Sequence, residues 1–281
     1  MRMAIVGCGY VGSEVVRQAP DDWKLWALSR SAERAAELSN NRLKVVVGDW
    51  LNPSTLDDLP EVDVILVSVP HRPVDPHEDQ THCVGLKSVL ASFRGWQKLI
   101  YLSTTGVYGE CESEVVDEQT PVSPTRVGPS IAVKAEEWLS SNVDSARFTT
   151  LRLAGIYGPG RVPLAAKLRA GEPLAVPANG YLNLAHVTDI SGMIWHLATH
   201  QMQDSRYVFS DGKPVQREEF YRYLAECCGV QNPQFTQPDP SDSRVRRATS
   251  KRINPTKILD ETGFELTYPD YRSGILQSVG D

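Results

Sequence analysis

Short apolar runs punctuate the chain up to residue 153, at residues 3–6, 23–28, 43–48, 62–69, 98–102 and 148–153. Runs of this length between turn-rich segments predict β-strands, and the nearly all-apolar run at 62–69 is of the kind buried on both faces of a sheet. The intervening stretches at 13–18, 76–93 and around 134–139 carry helical patterning. Strands alternating with helices predict an α/β fold built on a parallel, doubly wound sheet. The expected division is a core over residues 1–160. A mixed region over 161–281 completes that core and adds a smaller C-terminal lobe, within one integrated domain.

Between the first strand and the first helix stands Gly7-Cys8-Gly9-Tyr10-Val11-Gly12. Strand, tight G-x-G-x-x-G turn and helix start is the context of a dinucleotide-binding turn in a Rossmann core. Gly7 permits the turn, Gly9 lets the backbone approach a pyrophosphate, and Gly12 lets helix and strand pack closely. The pyrophosphate then sits on N–H groups at the positive end of the helix dipole. Gly7, Gly9, Tyr10, Val11 and Gly12 are the expected phosphate-side residues.

The end of the second strand bears on cofactor choice. An NAD site carries an acidic residue there for the ribose hydroxyls, whereas this chain has Ser29-Arg30-Ser31 with Arg34 a turn later. Serine and arginine suit a 2′-phosphate through charge-assisted hydrogen bonds, so NADP is the expected cofactor, with NAD the alternative; solvated surface charge is the other account of the two arginines. Asp49 follows the third strand, where it meets the adenine edge or caps the next turn. Ser68 and Val69, ending the fourth strand, are expected beside the nicotinamide ribose.

Composition narrows the classes. With 281 residues the chain is long enough for a substantial core, and a formal net charge of -6 argues against nucleic-acid binding. No apolar run reaches membrane-spanning length and no signal peptide is evident, so a cytoplasmic protein without membrane contact is expected. Five cysteines, odd in number and without C-x-x-C spacing, suggest reduced thiols. His196 and His200 have i, i+4 spacing but no accompanying glutamate or third ligand, so no metal is expected.

Four stretches together resemble the extended and atypical short-chain dehydrogenase/reductases, the NAD(P)-dependent epimerase/dehydratases. They are the glycine turn, Ser-Thr-Thr-Gly-Val-Tyr-Gly at 103–109, Leu-Arg-Leu-Ala-Gly-Ile-Tyr-Gly-Pro-Gly-Arg at 151–161, and Asn-Leu-Ala-His-Val-Thr-Asp at 183–189. The resemblance implies hydride chemistry. Thr104 matches the Ser/Thr that polarises the substrate oxygen, and Lys134 matches the lysine that holds the nicotinamide ribose. The catalytic tyrosine belongs four residues before that lysine, on the same helix face. Ser130 stands there instead, and His82 stands at the supporting Asn position.

A serine hydroxyl titrates far above a phenol, which leaves three alternatives. Lys134 assists Ser130; or Tyr108, Tyr157, Tyr181 or His82 reaches the site; or the site binds NADP without the family's chemistry. The resemblance further implies a substrate lobe over the C-terminal strand edge, with Thr105, Tyr108, Tyr157, Tyr181 and Asn183 as substrate contacts. It also implies a homodimer through the helices at 76–93 and 128–141. A basic cluster at 243–252 is a further candidate for an anionic substrate group, or a solvated loop. The expected activity is an NADP-dependent oxidoreductase or epimerase/dehydratase acting on a small polar substrate such as a sugar derivative. A non-catalytic NADP-binding sensor of the same fold is the alternative.

Overall fold

A computed structural model describes residues 1–71, 80–110, 115–231, 233–237 and 250–279. Its centre is a seven-stranded parallel sheet in an α/β fold. The strands are β1 (Arg2–Val6), β2 (Lys24–Ser29), β3 (Leu43–Val47), β4 (Val64–Val67), β5 (Lys98–Thr104), β6 (Phe148–Leu153) and β7 (Arg206–Phe209). Their order across the sheet is β7-β6-β5-β4-β1-β2-β3. β1 pairs in parallel with β2 on one side, Val6 opposite Leu28, and with β4 on the other, Val6 opposite Val67. The chain thus winds outward to β3 and returns past β1 to build β4 and β5. The junction of β1 and β4 is the topological switch point where open α/β sheets bind ligands.

β7 is absent from the six runs read in the sequence. Its apolar run is only Tyr207-Val208-Phe209, and a place beside β6 in the sheet makes it a strand. β4 is buried along its whole length, as its unbroken apolar sequence requires.

Four helices frame the strand ends: α1 (Tyr10–Arg17), α2 (Ala32–Leu38), α3 (Thr81–Ser92) and α4 (Val127–Asn142). α1 begins inside the glycine motif, three residues before the expected start at 13, so Tyr10, Val11 and Gly12 are helical. Ser31 caps α2 by accepting a 3.2 Å bond from the Arg34 N–H. Pro129 falls in the first turn of α4, where its missing N–H has no helical acceptor to lose. α3 occupies the later part of the helix expected at 76–93; residues 76–79 lie outside the described residues. No helix among the described residues is long and apolar enough to cross a membrane.

The chain forms two compact units, each assembled from separate segments. The first comprises Met1–Val107, Pro124–Arg152 and Ile190–Tyr207. Its core includes Val6, Trp50, Ile65, Val67, Leu86 and Tyr101. The second comprises Tyr108–Ser123, Leu153–Asp189 and Val208–Asp281. Its separate core gathers Tyr157, Leu174, Leu184, Phe220, Leu224 and Ile275.

Candidate functional site

The glycine turn lies against the end of β4. The Ser68 N–H donates to the Val6 carbonyl at 2.8 Å. Gly7 has φ +90°, and a Cβ on it would stand 2.7 Å from the Ser68 carbonyl oxygen. Only glycine meets both conditions without strain. Gly12 is tight in another way: a Cβ there would come within 3.1 Å of the Ile5 side chain.

Gly9 is the opposite case, since nothing lies within 4 Å of where its Cβ would be. It occupies the N-cap of α1 and offers no side-chain cap to the first-turn N–H groups, which by helix geometry have no intrahelical acceptor. Bare backbone, open space and a positive helix end fit a dinucleotide pyrophosphate. Gly7, Gly9, Tyr10, Val11, Gly12 and Ser68 are therefore brought together, with Val69 following directly.

The residues expected on the adenosine side group at the end of β2. Ser29 Oγ donates to the Ser31 carbonyl at 3.1 Å, which spends its proton within the turn. Arg34 pairs with Glu37 at 2.8 Å, both side chains about half exposed. Its charge also reaches Cys8 in the glycine turn, although burial dominates there and pushes the Cys8 thiol up. Arg30 is exposed, and no ion pair among the described residues engages it. Asp49 holds its own turn: Oδ1 accepts from the Leu51 N–H at 2.9 Å. Of the two roles the sequence allows Asp49, this is the capping one.

The residues expected at the catalytic edge sit where β5 meets α4. Thr104 Oγ1 accepts from the Gly106 N–H at 3.0 Å, which leaves the hydroxyl proton to point elsewhere. Thr105 is buried. Ser130 and Lys134 lie one turn apart on α4, both half-buried. Ser130 Oγ donates to the Arg126 carbonyl at 2.9 Å, one turn back along its own helix.

Two residues that the sequence analysis does not single out join this edge. A Cβ on Gly106 would lie 3.2 Å from Thr104 Oγ1 and 3.3 Å from Arg126 Nη2. The guanidinium therefore stands near the Thr104 hydroxyl. His71, just beyond the end of β4, packs on α4 with its Cδ2 3.5 Å from where a Cβ on Gly128 would be. The Pro70-His71 pair at the end of a buried strand was the available signal. Arg126 had none, because only the folded chain returns it to Thr104.

Beneath this edge lies a buried carboxylate. Glu136 accepts from Ser103 Oγ at 2.6 Å and from Arg152 Nη2 at 2.6 Å. These contacts tie α4 to β5 and β6. His82 is not at the edge: it is buried, with Nδ1 2.8 Å from the Tyr101 hydroxyl and its ring edge-on to Trp50. It belongs to the core.

The second unit corrects several expected substrate contacts. Tyr108 is fully buried and its hydroxyl donates to the Asp117 carbonyl at 2.7 Å. Tyr157 is also fully buried, with its hydroxyl 3.3 Å from the Asp270 carbonyl and burial raising its pKa far above an ordinary phenol. Neither presents surface to a substrate. Asn183 spends both ends of its amide on the chain, donating to the Lys251 carbonyl at 3.0 Å and accepting from the Ile253 N–H at 2.7 Å. It clamps a strand. Tyr181 stays half-buried, with the Arg252 guanidinium 5.5 Å from its ring centre. Asp189 stands in the first turn of the helix Val187–Thr199 and also accepts the Thr267 and Tyr268 N–H groups at 2.7 and 3.0 Å. Most of the basic cluster, residues 243–249, lies outside the described residues.

With the turn, the strand order and the edge between β5 and α4 in place, comparison with known proteins gives a consistent result. Residues 3–209 match the model of the NAD dependent epimerase/dehydratase family, and the chain belongs to that family. It is 27% identical over 279 residues to the protein YeeZ of Escherichia coli K12, covering 96% of this chain and 97% of that one. It superposes with a TM-score of 0.79, at 26% identity, on a functionally unknown conserved protein from Silicibacter pomeroyi, covering 99% of this chain and 98% of the other. The UDP-glucose 4-epimerase of Thermus thermophilus, solved in complex with NAD, shares the fold at a TM-score of 0.81 and 19% identity, covering 100% and 98% of the two chains.

Proposed function

We propose that this chain is an NADP-dependent oxidoreductase or epimerase/dehydratase acting on a small polar substrate, with an active site that lacks the usual tyrosine. Membership of the family and the fit of the glycine turn to a pyrophosphate support dinucleotide binding. The observation that carries the choice of NADP is Arg30, an exposed guanidinium without an ion pair among the described residues, placed where NAD enzymes carry an acid. A 2′-phosphate would give it a bidentate, charge-assisted partner. Lys134 would hold the nicotinamide ribose and Thr104 the substrate oxygen. When bound, the cofactor supplies hydride transfer; the chain supplies position and polarisation.

Fluorescence titration with NADPH and NADH tests the cofactor. Tight NADPH binding with much weaker NADH binding is expected, and equal affinities sink the NADP assignment. Turnover on a panel of sugars and carbonyl compounds tests the enzyme.

Ser130 favours a second reading, a catalytically silent NADP sensor, because its hydroxyl is committed to the Arg126 carbonyl. The Ser130→Tyr variant separates the two. Activity that appears only in that variant assigns the natural chain to the sensor class.

A further inference from the structure

We infer that His71 and Arg126 stand in for the missing tyrosine: His71 as the group that exchanges the substrate hydroxyl proton, Arg126 as the cation that steadies the substrate oxygen beside Thr104. This rests on the NADP-binding reading above.

Ser130 cannot replace the tyrosine. Its hydroxyl donates into its own helix, and without a phenol's acidity it is a poor proton carrier at neutral pH. The edge between β4, β5 and α4 therefore needs another titratable group. His71 is the histidine placed there: it follows the strand end expected beside the nicotinamide ribose, and its ring packs on Gly128, two residues before Ser130. Imidazole changes charge nearest to neutral pH among the ordinary side chains. Its Nδ1 is buried and has no hydrogen-bond partner among the described residues. Native structures rarely leave such a nitrogen unsatisfied without cause.

Arg126 adds the charge. Its Nη2 and Thr104 Oγ1 each lie within 3.3 Å of one point beside Gly106, and no ion pair among the described residues neutralises it. A hydroxyl and a guanidinium converging there are suited to an oxygen that gains negative charge.

The step balances. In the oxidising direction the substrate C–H leaves as hydride to the nicotinamide C4 of NADP+, the O–H proton passes to neutral imidazole, and the C–O bond becomes a carbonyl. The products are the carbonyl compound, NADPH and imidazolium. In reduction, imidazolium returns the proton as hydride arrives at carbon.

The test is the titration of His71 followed by NMR of its ring, with the signal assigned by its loss in His71→Gln. Spectra are recorded across pH for the protein saturated with NADP+ and, separately, with NADPH. Oxidised nicotinamide carries a positive charge that the reduced ring lacks. A histidine facing it should titrate roughly half a pH unit or more lower in the NADP+ complex. A histidine with only a packing role would show the same midpoint in both. Identical midpoints with both cofactors bound overturn this inference and leave the NADP reading standing. Failure of either cofactor to bind overturns both. As a second arm, Arg126→Gln should narrow no part of the NADP+/NADPH difference yet raise the His71 midpoint in both complexes; an unchanged midpoint removes Arg126 from the pair.

Discussion

Glu136 and Arg152 face one another in the interior of the first unit, Oε2 to Nη2 at 2.6 Å, with 3% and 2% of their side chains exposed. Each neutralises a charge that burial would otherwise make very costly. Removing one partner by Glu136→Ala should destabilise the protein by about 3–5 kcal/mol. Exchanging both for apolar residues of similar size should cost much less than the two single losses combined. Urea unfolding of the single and double variants measures both quantities.

Gly7 and Gly9 should separate folding from binding. Alanine at Gly7 meets a left-handed backbone and the Ser68 carbonyl at 2.7 Å, and should cost at least about 2 kcal/mol of stability. Alanine at Gly9 enters open space and should cost less than about 1 kcal/mol. Its methyl instead takes room needed by the pyrophosphate. Thermal unfolding without ligand and NADPH titration, run on both variants, should show stability lost in the first and affinity lost in the second.

Arg30→Ala should weaken NADPH binding and spare NADH. A hydrogen bond to a charged group is worth about 1.5–3 kcal/mol, so the NADPH Kd should rise on the order of tenfold to a hundredfold. Equal losses for the two cofactors would place Arg30 away from the 2′-phosphate. The Arg34→Ala loss should be smaller, because that guanidinium already has Glu37.

Asp211 in the second unit should make stability depend on pH. Burial raises its carboxyl from 3.8 to about 7, partly offset by the Lys213 N–H and reinforced by the charges of Asp270 and Asp189. The folded state therefore keeps a proton that the unfolded chain has given up. Its contribution to stability is full below pH 3.8, is lost as pH rises toward about 7, and stays lost above that. The whole effect amounts to at most roughly 4 kcal/mol. Asp211→Asn should be more stable than the natural protein at pH 8 and nearly equal to it at pH 4. Unfolding curves at the two pH values measure the difference.

Much of the fold is legible in the residues themselves. β1 to β6 are marked by local apolar runs, because a strand buried on both faces must be apolar along its length. The glycine turn is equally local: a left-handed residue at Gly7 and bare backbone at Gly9 are demands made over a few positions. The arginines at the end of β2 are visible for the same reason.

What the tertiary structure decides is which polar groups still have a hydrogen bond to give. Tyr108, Tyr157 and Asn183 carry suitable chemistry in the sequence, yet their polar atoms are spent on the carbonyls of Asp117 and Asp270 and on the backbone at Lys251 and Ile253. β7 needs its place beside β6 in the sheet to exist as a strand. His71 and Arg126 reach Gly128 and Gly106 only when β4, β5 and α4 share an edge. Spacing along a chain states what a residue could do; burial and partners, which depend on the whole fold, determine what remains available to a ligand.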